Sequence, residues 1–240
     1  MFKIPEEYNT GLVTDKKRFP LSHLKQAERQ RFRRTLKELV LDAVVKDDII
    51  PSFVSDTDSV RAVQFFTADV DSVRSAPFVC GILQRMTKTP SVIKVRDDKK
   101  ELYSFALKRL NLQDKDLVVV TDEFLTHSLT RGVSGTEDRL IQDFAGWDCI
   151  VNKTDLYSWY LEMMVKCYII TNRDLWSGMN DLLSSKSKVW YNTEDVLLLF
   201  EDVKVLVRLT DERSRSVTTG NASRINGELK RTYAKLKGYV

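Results

Sequence analysis

Hydrophobic residues in the N-terminal part of the chain first recur at helical spacing. From Ser22, which can cap a helix, apolar residues return every three or four positions, and this pattern predicts an amphipathic helix over Ser22–Val45. The polar side of this helix is basic and contains Lys25, Arg29, Arg33 and Lys37, joined by Arg31 and Arg34. The preceding twenty residues contain two X-Pro steps and a basic cluster, which predict an extended arm.

Four later segments have the composition or the alternation of β-strands. They are Val60–Asp69, Val92–Arg96, Leu102–Arg109 and Leu117–Thr126. A helix ending near Met86 separates the first two segments and begins either at Asp71-Ser72 or at Pro77, because proline is tolerated in a first helical turn. Short polar turns between the last three segments favour antiparallel hairpins.

Beyond Thr130 the pattern becomes helical. Helices are predicted from Thr154-Asp155, from Asp174 or Leu175 to Leu183, from Thr193 to Val207, and from Asn221 onward. The chain is therefore predicted to have an α+β fold. An N-terminal helix and a small, mainly antiparallel sheet of about four strands with covering helices would precede a helical C-terminal half. The expected divisions are an extended basic arm (1–21), an α+β domain (22–130), a helical region (131–213) and a basic C-terminal helix (214–240).

Composition is that of an ordinary globular protein. Of the 240 residues, 42% are hydrophobic and 30% are charged, which excludes intrinsic disorder. The N-terminus lacks the apolar core of a signal peptide, and no run approaches the ~20 apolar residues of a membrane span. A cytoplasmic protein without membrane association is expected.

The formal net charge of +4 conceals an uneven distribution. Residues 15–46 hold ten Lys and Arg against four Asp and Glu, and residues 204–240 hold nine against three, so both segments carry +6. Residues 47–203 carry −7. Clustered arginines on one helix can follow a phosphate backbone, but they can equally bind an acidic protein surface or simply face solvent.

Motifs for established chemistry are absent from the sequence. It contains no phosphate-binding loop, dinucleotide-binding glycine motif or zinc-ligand spacing, so no cofactor and no metal are expected. One enzymatic alternative is a metal-dependent nuclease, in which Asp69, Asp97 and Asp122 would converge beside Lys108, since Mg²⁺ is held by carboxylates next to a phosphate.

The order of several short motifs resembles a known family. These motifs are Met1-Phe2-Lys3-Ile4-Pro5, Lys16-Lys17-Arg18-Phe19-Pro20, Val63–Phe66, Thr89-Pro90, Leu102–Asn111 and Ile225–Lys237. Together they resemble the bacterial family known as domain of unknown function 4391. This family has no established catalytic residues, so the resemblance assigns none to this chain.

The resemblance implies a biological context. Members of the family are typically encoded beside helicases and DNA methyltransferases, in loci that resemble restriction or anti-phage defence systems. This context adds Lys16, Lys17, Arg18, Lys108 and Arg109 to the candidate contact residues. Alternatively, Lys108 and Arg109 are a strand-end pair of which one faces water and the other packs its stem. The sequence therefore favours a non-enzymatic accessory protein that contacts nucleic acid, or a partner such as a helicase or methyltransferase subunit, through basic helices.

Overall fold

The computed structural model describes residues 2–15, 19, 21–22, 24–114, 117–183 and 187–240. The N-terminal half contains β1 (Asn9–Val13), α1 (Gln26–Thr35), β2 (Leu36–Lys46), β3 (Phe53–Val54), β4 (Ser59–Val60), β5 (Ala62–Val70), α2 (Ala76–Met86), β6 (Ser91–Arg96), β7 (Lys100–Leu110), β8 (Val118–Leu125) and β9 (Leu129–Thr130). The C-terminal half contains α3 (Thr136–Phe144), α4 (Leu156–Thr171), α5 (Met179–Leu182), α6 (Thr193–Arg215) and α7 (Thr219–Lys237). The predicted α+β class with a helical C-terminal half is thus present.

Within the described residues, seven strands form one mixed sheet. Six of them lie in the order β1-β2-β5-β6-β7-β8, β9 also pairs with β7, and β3 and β4 form a separate two-stranded sheet. The prediction of a small, mainly antiparallel sheet of about four strands is wrong. The four predicted strands correspond to β5–β8, but three further strands join them, and β5 and β6 run parallel. These two strands are parallel because α2 returns the chain to the edge where β5 began.

The predicted helix Ser22–Val45 is also wrong in its second half. The helix ends at Thr35, and the next eleven residues form β2. The pairing of β2 with β5 shifts register twice, near Leu36 and again between Leu41 and Ala43. The first bulge lets Leu36 and Leu39, three residues apart, enter the same core, and the second turns Ala43, four residues later, into the core on the opposite face. The bulges therefore give a strand the spacing of a helix.

Helix α2 begins at the second of the two predicted starting points. Residues Val73–Ser75 form a single 3-10 turn, and α2 starts at Ala76 with Pro77 in its first turn. The missing amide hydrogen of proline is harmless there because the first amides of a helix have no intrahelical acceptor.

The two faces of the sheet are covered by different helices. On one face, α1 and α2 bury a core that includes Phe32, Phe66 and Ile93. On the opposite face, α4 and the other C-terminal helices bury the larger core, which includes Phe105 and Trp159. Within the described residues no helix is long and apolar enough to cross a membrane.

Candidate nucleic-acid interface

Helix α1 is held to the sheet at few points, and this exposes its arginines. The backbone amide of Lys25 donates a 3.0 Å hydrogen bond to the Glu28 carboxylate, which caps the N-terminus. Phe32 is the buried residue of the helix and packs edge-on against Phe19 at 5.9 Å between ring centroids. Because one side chain anchors the helix, most of its circumference is left to polar residues.

The four arginines of α1 occupy most of this circumference. Arg31, Arg33 and Arg34 are exposed and Arg29 is half-buried. Successive residues are rotated by about 100°, so Arg31 and Arg33 lie on opposite flanks of the buried Phe32, and Arg34 lies nearly opposite it. Arg31 lies over the ring of Phe78 at 4.0 Å, a cation–π contact that joins α1 to α2.

Few carboxylates neutralise these cations. Of the six basic residues from Lys25 to Lys37, only Lys37 forms an ion pair within the described residues, to Asp71 at 3.0 Å. That hydrogen bond raises the pKa of Lys37. The other five residues have no carboxylate partner among the described residues, and Glu28 is the one acidic residue between them.

Helix α2 and its flanks extend the positive surface. Residues 72–90 contain three Lys and Arg and no Asp or Glu. Arg74, just before α2, and Arg85, in its last turn, are exposed. We call the surface formed by both helices the basic face, and its residues are Lys25, Arg29, Arg31, Arg33, Arg34, Lys37, Arg74 and Arg85.

The C-terminal helices carry a similar charge with a different arrangement. Of the nine Lys and Arg in residues 204–240, five form ion pairs with carboxylates. Arg208 pairs with Glu212, and Lys204 pairs with Asp122 of β8 at 2.5 Å. Within the described residues, charge on these helices is therefore largely balanced by the protein's own carboxylates, unlike that of α1.

The remaining candidate contact residues do not lie together. Lys108 is buried, and its ammonium donates to the Thr87 and Thr89 carbonyl oxygens and to the Thr87 hydroxyl at 2.6–3.0 Å. Its neighbour Arg109 is exposed. Lys108 is thus not accessible to a phosphate. Lys16, Lys17 and Arg18 lie outside the described residues.

The carboxylates of the nuclease alternative are separated. Asp69 of β5 pairs with Arg96 of β6, which in turn pairs with Glu101 of β7. Asp122 of β8 pairs with Leu107 of β7, six residues beyond Glu101. Six residues along a strand amount to roughly 20 Å. Asp97 is engaged elsewhere, because it accepts hydrogen bonds from the amides of Val73, Lys99 and Lys100, which lower its pKa.

No group of three or more metal-ligating side chains exists within the described residues. The arrangement therefore gives the nuclease alternative no support. It leaves the basic face as the best-formed candidate for a functional surface.

The sequence matches the family model described as "Domain of unknown function (DUF4391)" over residues 2–236. The chain belongs to this family. The match confirms the resemblance seen in the short motifs, and it includes all of α1 and α2 and nearly all of α7. No curated protein and no solved structure matched this DUF4391 chain significantly.

The cations on α1 of this DUF4391 chain were predictable, but those beside α2 were not identified. Arg74 and Arg85 are isolated in sequence, and the available signal was the absence of acidic residues from 72 to 96. The placement of α2 beside α1 depends on the crossover from β5 to β6, which puts both helices on one side of the sheet.

Proposed function

We propose that this DUF4391 protein is a non-enzymatic accessory component of a DNA-modification or defence system that binds the nucleic-acid backbone through its basic face. The observation that carries the proposal is the set of unneutralised arginines Arg29, Arg33 and Arg34 on an exposed ten-residue helix. Arginine donates several hydrogen bonds in a fork that suits phosphate oxygens. A helix of this length spans about 15 Å, enough to reach several phosphates.

The partner enzyme in this proposal is a helicase or a DNA methyltransferase subunit. The support is the context that the family membership implies, together with the charge asymmetry of the chain. A protein with a basic surface on one side of its sheet can hold DNA there and leave its other surfaces free for an enzyme.

The test is binding of a fluorescent 20-base-pair duplex, measured by anisotropy at fixed salt. The variant Arg29→Glu/Arg33→Glu/Arg34→Glu is expected to weaken binding at least ~10-fold, because several phosphate contacts become repulsive. A matched control is Lys230→Glu/Arg231→Glu/Lys237→Glu. These α7 residues are exposed, and the substitutions change the net charge equally.

The proposal requires the two triple variants to differ. Equal losses of duplex affinity in the two variants would mean that binding depends on overall charge and not on the basic face. Affinity purification with and without nuclease treatment tests the partner separately. A helicase or methyltransferase that is retained after nuclease treatment binds the protein directly. If the α1 variant kept both duplex binding and the partner, the proposed role of the basic face would be refuted.

A further inference from the structure

A cavity of about 270 Å³ lies on the opposite face of the sheet from the basic face. The N-terminal segment Phe2–Ile4 and the strands β1, β2, β5, β6 and β7 line it. Its apolar wall is aromatic, since the ring of Phe2 packs edge-on against Tyr103 at 5.3 Å and lies 6.1 Å from Phe65. Its volume is near the lower end of the range for small-molecule sites, about 300–1,000 Å³.

Strand pairing places a lysine in the wall of this cavity, beside a buried threonine. Thr67 of β5 is opposite Lys94 of β6, which is opposite Tyr103 of β7. Cross-strand neighbours project from the same face of a sheet, so Lys94 is on the side of Phe65 and Tyr103. Both Thr67 and Lys94 lie in the second half of their strands, β5 and β6, which run parallel.

A β-bulge adds a carboxylate to the cavity. Asp42 is the extra residue between Leu41 and Ala43, where the pairing of β2 with β5 shifts register. Bulges redirect a side chain away from the regular alternation and are frequent beside functional sites. One oxygen of Asp42, Oδ2, accepts a 2.6 Å hydrogen bond from Thr67, and no other hydrogen bond to this carboxylate is recorded within the described residues.

The cationic group of Lys94 is not satisfied by the protein. The side chain is half-buried and lines the cavity, but within the described residues it forms no hydrogen bond and no ion pair. The nearby carboxylate of Asp69 is already held by Arg96 in two hydrogen bonds of 2.5 and 3.0 Å. A partly desolvated ammonium that no carboxylate contacts directly is unfavourable, so an anion from solution would stabilise it.

A second lysine is fixed at the edge of the cavity. Among the described residues, Lys3 is the one non-glycine residue with a positive φ, at 51°. Its backbone is held in place because Phe2 is buried and its carbonyl accepts a 2.7 Å hydrogen bond from the Trp147 amide. Left-handed backbone at a non-glycine residue persists only where the surrounding structure imposes it.

We infer that this cavity binds a nucleoside monophosphate. Lys94 and Lys3 would hold the phosphate, the aromatic wall would contact the base, and the second oxygen of Asp42 would accept a hydrogen bond from a ribose hydroxyl. These are the chemical groups that the cavity presents: two cations, an aromatic surface and one free carboxylate oxygen. The site does not depend on the basic face, from which the sheet separates it.

Isothermal titration of the full chain with adenosine 5′-monophosphate, adenosine and inorganic phosphate tests this inference. The nucleotide is expected to bind at least ~10-fold more tightly than either fragment, because it engages both ends of the cavity at once. Lys94→Gln should weaken nucleotide binding at least ~10-fold and leave binding of adenosine unchanged. Lys46→Gln, at an exposed position of β2 outside the cavity, is the matched control.

Two further measurements separate this site from the proposed interface. The α1 triple variant should bind the nucleotide as the wild type does, and Lys94→Gln should bind duplex DNA as the wild type does. Circular dichroism establishes that Lys94→Gln is folded. Absence of heat with all three probes at millimolar concentration would overturn the inference, as would equal nucleotide binding by the wild type and a folded Lys94→Gln variant.

Discussion

Lys108 and Arg109 are neighbours on β7, but their side chains occupy opposite environments. Arg109 is exposed, whereas Lys108 is buried and donates to three oxygens just beyond the C-terminus of α2. Hydrogen bonds from this side chain satisfy oxygens that have no partner within the helix. Arg109 therefore faces water, and the side chain of Lys108 lies inside the protein. Lys108 is a structural cap.

The burial of Lys108 predicts a pH-dependent contribution to stability. Burial lowers the pKa of Lys108 to about 7 in the folded protein, well below that of an unfolded lysine. Between about pH 7 and 10 the unfolded chain therefore retains a proton that the folded protein has lost, so this residue adds stability as the pH rises. The slope for one proton is at most ~1.4 kcal/mol per pH unit.

Urea denaturation of Lys108→Met at several pH values measures this contribution. The wild type should gain stability relative to the variant from pH 7 to 10, and below pH 7 the difference should be constant. Comparing the two proteins removes the opposite contribution of buried thiols such as Cys80, whose pKa burial raises to about 12. Arg109→Met is the control, and parallel pH profiles for the wild type and Lys108→Met would contradict the assignment.

At the scale of the element, α4 is fixed to the chain before it by a buried ion pair. Lys166 donates to Glu162 at 2.5 Å, and both side chains are almost fully buried. Glu162 also accepts hydrogen bonds from the amides of Val151 and Asn152, and Lys166 donates to the carbonyl of Cys149. The pair thereby supplies hydrogen-bond partners for backbone groups in the segment that precedes α4.

Removing one charge of this ion pair should destabilise the protein more than replacing both residues with apolar ones. Glu162→Gln leaves the ammonium of Lys166 buried without a counter-ion, which is expected to lower the free energy of unfolding by about 3–5 kcal/mol. Glu162→Leu/Lys166→Met removes both charges and should cost at least ~1 kcal/mol less than Glu162→Gln. Guanidinium denaturation of both variants checks the order. A double variant less stable than Glu162→Gln would show that the backbone contacts of the pair dominate.

The elements that sequence patterns predict correctly are those with a clear strand composition or a helical period. Strands β5–β8 are rich in β-branched and aromatic residues, and helices α4, α6 and α7 have helical periodicity and recognisable caps, such as Asp155 before α4. β2 was mistaken for a helix because two bulges changed its spacing. The α1 cations could be identified from sequence. The cavity around Lys94 could not, because Asp42 reaches Thr67 through the irregular register of β2 and β5, and Lys94 lies beside Thr67 through the pairing of β5 with β6.

At the scale of the whole molecule, the two segments of +6 differ in what surrounds them. Within the described residues, the C-terminal helices pair most of their cations with carboxylates, including Asp122 of β8 and Asp202 of α6. In that same part of the chain, the basic face has one such pair, between Lys37 and Asp71. Equal formal charge thus produces a balanced surface in one place and a concentrated positive surface in the other. The concentrated positive surface attracts a polyanion over long distances.

Salt dependence of duplex binding should reveal this asymmetry. Each phosphate contact contributes about −0.9 to the slope of log K against log salt concentration, because a counter-ion is released. Arg29→Ala/Arg33→Ala/Arg34→Ala should therefore reduce the magnitude of the slope by roughly 2–3 if each arginine contacts a phosphate. Lys230→Ala/Arg231→Ala/Lys237→Ala should leave the slope unchanged, since α7 lies outside the basic face. Anisotropy titrations from 50 to 300 mM salt measure both slopes, and a similar reduction in the two variants would assign the affinity to net charge alone.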